Sequence, residues 1–153
     1  MALLQISEPG QSTSPHHHNL ACGIDLGTTN SLVASVMSGQ TRLISDQNNN
    51  SLLPSVVHYG QEKMSVGVDA YQYATTDPTN TILSVKRYMG VDYSEACEFK
   101  NLPYKLVKNG NNVSFETSIG EVSAIEVSAS ILSTLKDRAE DALGGELKGA
   151  VIT

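Results

Sequence analysis

The first half of the chain is built from short β-prone runs in which apolar positions recur every second or third residue. Residues 21–26 (ACGIDL) and 31–37 (SLVASVM) are two such runs joined by Gly27-Thr28-Thr29-Asn30, which predicts a hairpin. Ser38-Gly39-Gln40 predicts a second turn and residues 41–45 a third strand, giving a three-stranded antiparallel meander that needs a layer packed on its face. Residues 46–51 are polar and Asn-rich and read as a loop. β character resumes over residues 52–59, where Pro54 confines the segment to a strand start or an edge. Residues 63–67 predict another short strand, and residues 68–75 a helix broken by Pro78. Ile82, Val85 and Met89 stand at helical spacing, predicting a helix over residues 80–89 that Gly90 stops. Residues 105–108 and 113–117 predict a second hairpin, with Asn109-Gly110 as its turn.

The strongest periodic signal follows. Val127, Ile131, Leu135 and Ala139 fall every four residues, joined by Leu132, Ala142 and Leu143, so residues 124–143 predict a helix with one apolar stripe. Ser123-Ala124-Ile125-Glu126 is a capping box at its start, and Gly144-Gly145 end it. Lys136, Arg138, Glu140 and Asp141 are expected to cover its outer side. The run Ala150-Val151-Ile152-Thr153 then predicts a buried strand. A helix followed directly by a β run is the second half of a β–α–β unit, and the expectation is a longer protein of which this is a part.

Composition narrows the class. The 153 residues are 40% hydrophobic and 17% charged, with a net charge of −6. An acidic surface excludes the salt-steep phosphate contacts of a nucleic-acid binder, though not a nucleotide site that needs only a few local donors. Cys22 and Cys97 have no CxxC partner and predict reduced thiols in a cytoplasmic protein. No run reaches the length of a membrane span, and the opening residues lack a signal-peptide core. Residues 1–19 read as a flexible tail, in which His16-His17-His18 fix no coordination geometry. His58, inside a β run, reads as a packed or edge histidine, and Cys22 as a small buried apolar residue.

The candidate chemistry lies in the first hairpin. Gly27 lets a bulky anion approach the backbone, and the Gly-Thr-Thr-Asn turn offers clustered N–H groups and hydroxyls of the kind that cradle phosphate. Asp25 is negative and fits beside a phosphate only with Mg²⁺, or a water on Mg²⁺, between them. A terminal phosphate also needs a cation, for which Lys86 and Arg87 are both candidates. The same residues also suit a hairpin whose turn merely uses small polar side chains, with Asp25 capping it and Lys86-Arg87 on a solvated face.

Resemblance separates these readings. The stretches GIDLGTTNSLVA, LLPSVVHY, NTILSVKRYMG and the terminal GAVIT occur in the order seen in the ATPase domain of DnaK-type heat-shock chaperones. The leader MALLQISEPG and residues 53–59 are most similar to the bacterial branch serving iron–sulfur cluster assembly. The resemblance implies an α/β, actin-like (ribonuclease H-like) ATPase domain, present in part. Residues 20–55 and 120–153 would belong to the first base subdomain, and residues 56–119 to a small lobe inserted above it. It implies that Gly27, Thr28, Thr29 and Asn30 bind nucleotide phosphates, that Asp25 acts through water on Mg²⁺, and that Lys86 reaches the γ-phosphate and the attacking water. ATP and ADP would be the nucleotides. A J-domain co-chaperone and an iron–sulfur scaffold protein would be the partners, in a bacterial cytoplasm, with no nucleic acid or membrane. The second phosphate loop, a metal-side glutamate and the adenosine pocket would lie beyond Thr153, so this chain alone is expected to bind ATP weakly and hydrolyse it poorly. Sugar and acetate kinases share the actin-like base and would pass phosphate to a substrate instead; SVKRYMG in the inserted lobe argues for the chaperones. A nucleotide-controlled filament protein is the third class.

Overall fold

The computed structural model describes residues 20–153; the N-terminal tail and its three histidines lie outside the described residues. The expected meander forms. Strand β1 (Ala21–Asp25) pairs antiparallel with β2 (Asn30–Met37), and β2 with β3 (Gln40–Leu43). Alternation sets its faces: Cys22, Ile24, Val33 and Ser35 point into the core, while Gly23 and Val36 are exposed.

Residues 52–59 are not one strand. Leu53–Pro54 (β4) pairs with the first residues of β2, Ser31 opposite Leu53, whereas Val56–Tyr59 (β5) leaves for a second sheet between β6 (Met64–Val66) and β7 (Thr81–Leu83). Pro54 does stand at an edge, and Ser55 is the joint between the two sheets. The helix expected over residues 68–75 is confined to α1 (Val68–Tyr71), after which the chain continues in turns.

The helix expected over residues 80–89 does not form. Thr81 and Ile82 pair with His58 and Val57, Ser84 turns the chain in the left-handed region (φ 54°), and only Val85–Tyr88 coils, as a 3-10 turn. Of the three residues at helical spacing, Ile82 and Val85 are buried, by strand pairing and a tight turn, and Met89 is exposed. A short helix, α2 (Tyr93–Ala96), precedes the predicted hairpin of β8 (Lys105–Asn109) and β9 (Asn112–Thr117). Gly110, at φ 62°, takes the first position of its two-residue loop. A further strand, β10 (Gly120–Ser123), extends that sheet.

Helix α3 (Ala124–Leu143) begins with the predicted capping box. The Glu126 carboxylate accepts the Ser123 amide at 2.7 Å, and Ser123 Oγ accepts the Glu126 amide at 3.2 Å. Gly144 ends it at φ 73°, where a side chain would be strained. Its stripe of Val127, Ile131, Leu135 and Ala139 is fully buried, packing on β1 and β2 and on the β5, β9 and 3-10 elements. Tyr88, Phe99, Tyr104 and Phe115 continue the same core as edge-to-face rings. Arg138 does not simply cover the outer side. It folds back so that its guanidinium donates to the Asn50 and Ser51 carbonyls at 3.3 and 3.4 Å, tying the Asn-rich loop to the helix. The last run forms β11 (Gly149–Ile152), parallel to β1; it is the sheet's edge, and all four residues are exposed rather than buried.

Candidate functional site

The ladder between β1 and β2 closes at Asp25 opposite Leu32, leaving a loop wider than a tight hairpin. Leu26, buried, is pinned by its amide to the Thr153 carbonyl at 3.0 Å. At Gly27 the chain turns so sharply that an added Cβ would lie 2.1 Å from the Asn30 carbonyl oxygen, so only glycine fits without moving backbone. Ser55 holds the underside. Its hydroxyl donates to the Gly27 carbonyl at 2.8 Å, its amide donates to the Thr29 carbonyl at 2.8 Å, and its oxygen lies 2.8 Å from Ser31 Oγ.

With these carbonyls drawn inward, the opposite side is open. Among the described residues, no protein acceptor engages the amides of Gly27, Thr28 and Thr29. Thr28 is half-buried, and Asp25, Thr29 and Asn30 are exposed. The structure therefore brings together five of the six sequence-predicted site residues in one bend, with three unengaged donors beside one solvated carboxylate. That is a surface suited to a polyanion with a hard cation. Among the described residues no cluster of three or more His, Cys, Asp or Glu forms a metal cage, so a cation there would depend on Asp25, water and the ligand's own oxygens.

Lys86 stands apart from the bend. Leu83, the end of β7, lies opposite Val56, the residue after Ser55, so the chain leaves β7 at the bend's end of that ladder. In the 3-10 turn that follows, Val85 and Tyr88 are buried and Lys86 and Arg87 exposed. The turn is anchored through Tyr88, whose hydroxyl lies 3.2 Å from that of Tyr104; Tyr104 in turn donates to the Leu83 carbonyl at 3.3 Å. Among the described residues neither cation forms an ion pair, and Lys86 makes no hydrogen bond to the bend.

Two polar arrangements escaped the sequence reading. His58 is packed, as expected, but its Nε2 lies 3.0 Å from Asp77 Oδ2 and its ring stacks on Tyr73 at 3.9 Å. The bond to His58, with help from Asn80, holds the Asp77 carboxyl below the usual carboxylate range. Ser55 is the other: nothing in the run Leu-Pro-Ser-Val announces that its serine holds a bend 28 positions earlier. Cys22 is buried as predicted, and burial pushes its thiol up. A cavity of about 610 Å³ lined by Asp46 and Arg138 lies away from the bend.

Residues 21–153 match the family described as Hsp70 protein. The Chaperone protein HscA homolog of Haemophilus influenzae (strain PittGG) is 54% identical over 155 residues, covering 100% of this chain and 25% of that protein. The homolog from Chromobacterium violaceum is 55% identical over 154 residues, with coverage of 100% and 25%, and that from Actinobacillus pleuropneumoniae serotype 5b is 52% identical over 155 residues with the same coverage. The chain thus spans a quarter of the length of these curated relatives.

Proposed function

The chain belongs to the Hsp70 family, and from that premise we propose that it supplies one phosphate-gripping side of an ATP-driven chaperone. Its mixed α/β sheets are part of the actin-like fold of that family's ATPase region. In this reading residues 20–55 and 120–153 contribute to the base of the ATPase domain and residues 56–119 to the lobe above it. The whole protein hydrolyses ATP to control its hold on client protein. The HscA name of its relatives supports service in iron–sulfur cluster assembly. In this reading a J-domain co-chaperone and an iron–sulfur scaffold are its partners, in the bacterial cytoplasm. Among the described residues no helix is long and apolar enough to cross a membrane.

The observation that carries the proposal is the bend itself: three unengaged amides and the exposed Thr29 and Asn30 beside an exposed Asp25. Amides of Gly27, Thr28 and Thr29 donate to phosphate oxygens of ATP or ADP, and the threonine hydroxyls and the Asn30 amide group add to them. The exposed carboxylate of Asp25 can accept hydrogen bonds from the water shell of a hard cation. Mg²⁺, when bound with the nucleotide, supplies charge neutralisation at the phosphates. Lys86 brings a positive charge toward the γ-phosphate and helps orient the attacking water, stabilising charge that develops as the terminal bond breaks. No covalent intermediate is needed.

The test is nucleotide binding by the full-length protein carrying this chain. Asp25→Asn is expected to weaken ATP binding about tenfold in Mg²⁺ (about 1.4 kcal/mol) and not to weaken it in EDTA, where the carboxylate without its cation only repels the phosphates. Equal affinities for the two proteins in Mg²⁺ would remove Asp25 from the cation's shell and the phosphate reading with it.

A further inference from the structure

We propose that Ser55 is a positioning residue that sets the phosphate bend in register with the strand pair leading to Lys86. The inference rests on the phosphate reading above and adds the means by which the two halves of the site hold their relation. Ser55 is 2% exposed and stands where β4 ends and β5 begins. Before it, Leu53 is paired to β2, the strand that leaves the bend. After it, Val56 is paired to Leu83, three residues before Lys86. One residue therefore bonds to the bend and immediately precedes the ladder whose far strand runs on into the turn that carries Lys86.

Its three bonds do more than fill a gap. In a trans peptide the C=O and the following N–H point in opposite directions. Drawing the Gly27 carbonyl onto the Ser55 hydroxyl at 2.8 Å therefore turns the Thr28 amide away from Ser55, toward the open side. Drawing the Thr29 carbonyl onto the Ser55 amide at 2.8 Å does the same for the Asn30 amide. The hydroxyl bond is the one a side-chain substitution can remove. Without it the Gly27–Thr28 peptide is free to rotate, and the donor direction at Thr28 is no longer fixed relative to β5. Hydrolysis is sensitive to such a loss because the barrier depends on the relative placement of bend and cation, whereas affinity collects contributions from many contacts.

Ser31 provides the internal control. Its Oγ lies 2.8 Å from Ser55 Oγ, so Ser31→Ala and Ser55→Ala each break the same buried hydroxyl pair, but only Ser55→Ala frees the Gly27 carbonyl. In the full-length protein both variants are expected to lower the melting temperature, Ser55→Ala the more, because it removes two hydrogen bonds and Ser31→Ala one. Single-turnover ATP hydrolysis should fall about tenfold in Ser55→Ala, with nucleotide affinity moved less than about threefold, and should stay within about twofold of the parent in Ser31→Ala. Ser55→Cys, which fills the same space with a weak donor, should slow hydrolysis like Ser55→Ala, and it replaces that variant should the alanine protein not fold. Equal slowing in Ser31→Ala, parental hydrolysis in the Ser55 variants, or equal losses of affinity and hydrolysis in them would each overturn the assignment. A parent that does not hydrolyse ATP, or whose affinity ignores Asp25→Asn, removes the phosphate reading and Ser55's role together. A competent parent with unaffected Ser55 variants removes the positioning role alone.

Discussion

Gly27→Ala tests how tightly the bend is built. The new Cβ would sit 2.1 Å from the Asn30 carbonyl oxygen, where about 3.0 Å is the least that real Cβ contacts show, so backbone must move by roughly 0.9 Å. Both atoms belong to the bend, and neither is the end of a flexible side chain. The movement falls on the two 2.8 Å bonds that Ser55 makes to the Gly27 and Thr29 carbonyls. Stretched by that much, each passes the distance at which a hydrogen bond contributes. Losing two such bonds around a buried serine, at about 1 kcal/mol each, plus residual strain, gives a destabilisation of about 2–3 kcal/mol. For a chain of this size that is a melting-temperature drop of roughly 4–12 °C, with the urea midpoint falling at constant slope. Gly23→Ala is the control: it lies in β1, four residues before Gly27, and an added Cβ there meets nothing within 4 Å, so it should be neutral or slightly stabilising. A drop of less than about 1 °C for Gly27→Ala, or equal effects at the two glycines, would show that the bend has slack and that its glycine is not required by space.

Three further outcomes follow from other parts of the structure. In the full-length protein Lys86→Ala should slow ATP hydrolysis by about a hundredfold or more while nucleotide affinity changes less than about threefold, and equal losses in a paired kinetic and calorimetric measurement would assign it to binding instead. The Tyr59 hydroxyl is buried without a partner among the described residues, since the neighbouring Ser130 hydroxyl donates to the Glu126 carbonyl at 3.0 Å. Tyr59→Phe should therefore stabilise the chain by about 1 kcal/mol at neutral pH. Burial pushes that phenol up from 10.0 to about 12, so the folded state holds its proton longer; the resulting contribution is complete below pH 10 and declines as pH rises toward 12. The stability gap between parent and Tyr59→Phe, followed by urea midpoint from pH 9 to 12, should widen in the variant's favour, and a constant gap would contradict the shift. Leu135→Ala, at a fully buried position of α3, should cost about 2–5 kcal/mol in urea unfolding, and a loss under about 1 kcal/mol would mean that the stripe does not anchor the helix to the sheet.

What could be read from the residues divides along the distance over which each feature is determined. Helix α3 was legible because its stripe, capping box and closing glycine are all set within a few residues. The first meander and the β8–β9 hairpin were legible for the same reason. The helix expected over residues 80–89 failed because Ile82, Val85 and Met89 satisfy a helical period whichever structure buries them; a strand pairing with Val57 decided the outcome, and that partner lies 25 positions away. The division at Ser55 was hidden likewise, since LLPSVVHY reads as one β run unless the partners of its two ends are known. The candidate site shows the same split within a single feature. Asp25, Gly27, Thr28, Thr29 and Asn30 are contiguous, so their chemistry could be argued directly from the turn. The direction of their amides could not, because it is imposed by a serine 28 positions later that reads locally as nothing more than the residue after a proline. Local sequence names the donors, and a remote hydroxyl aims them. A bend of identical composition without such a tether would keep its hydrogen-bonding groups and lose the fixed directions on which in-line transfer depends.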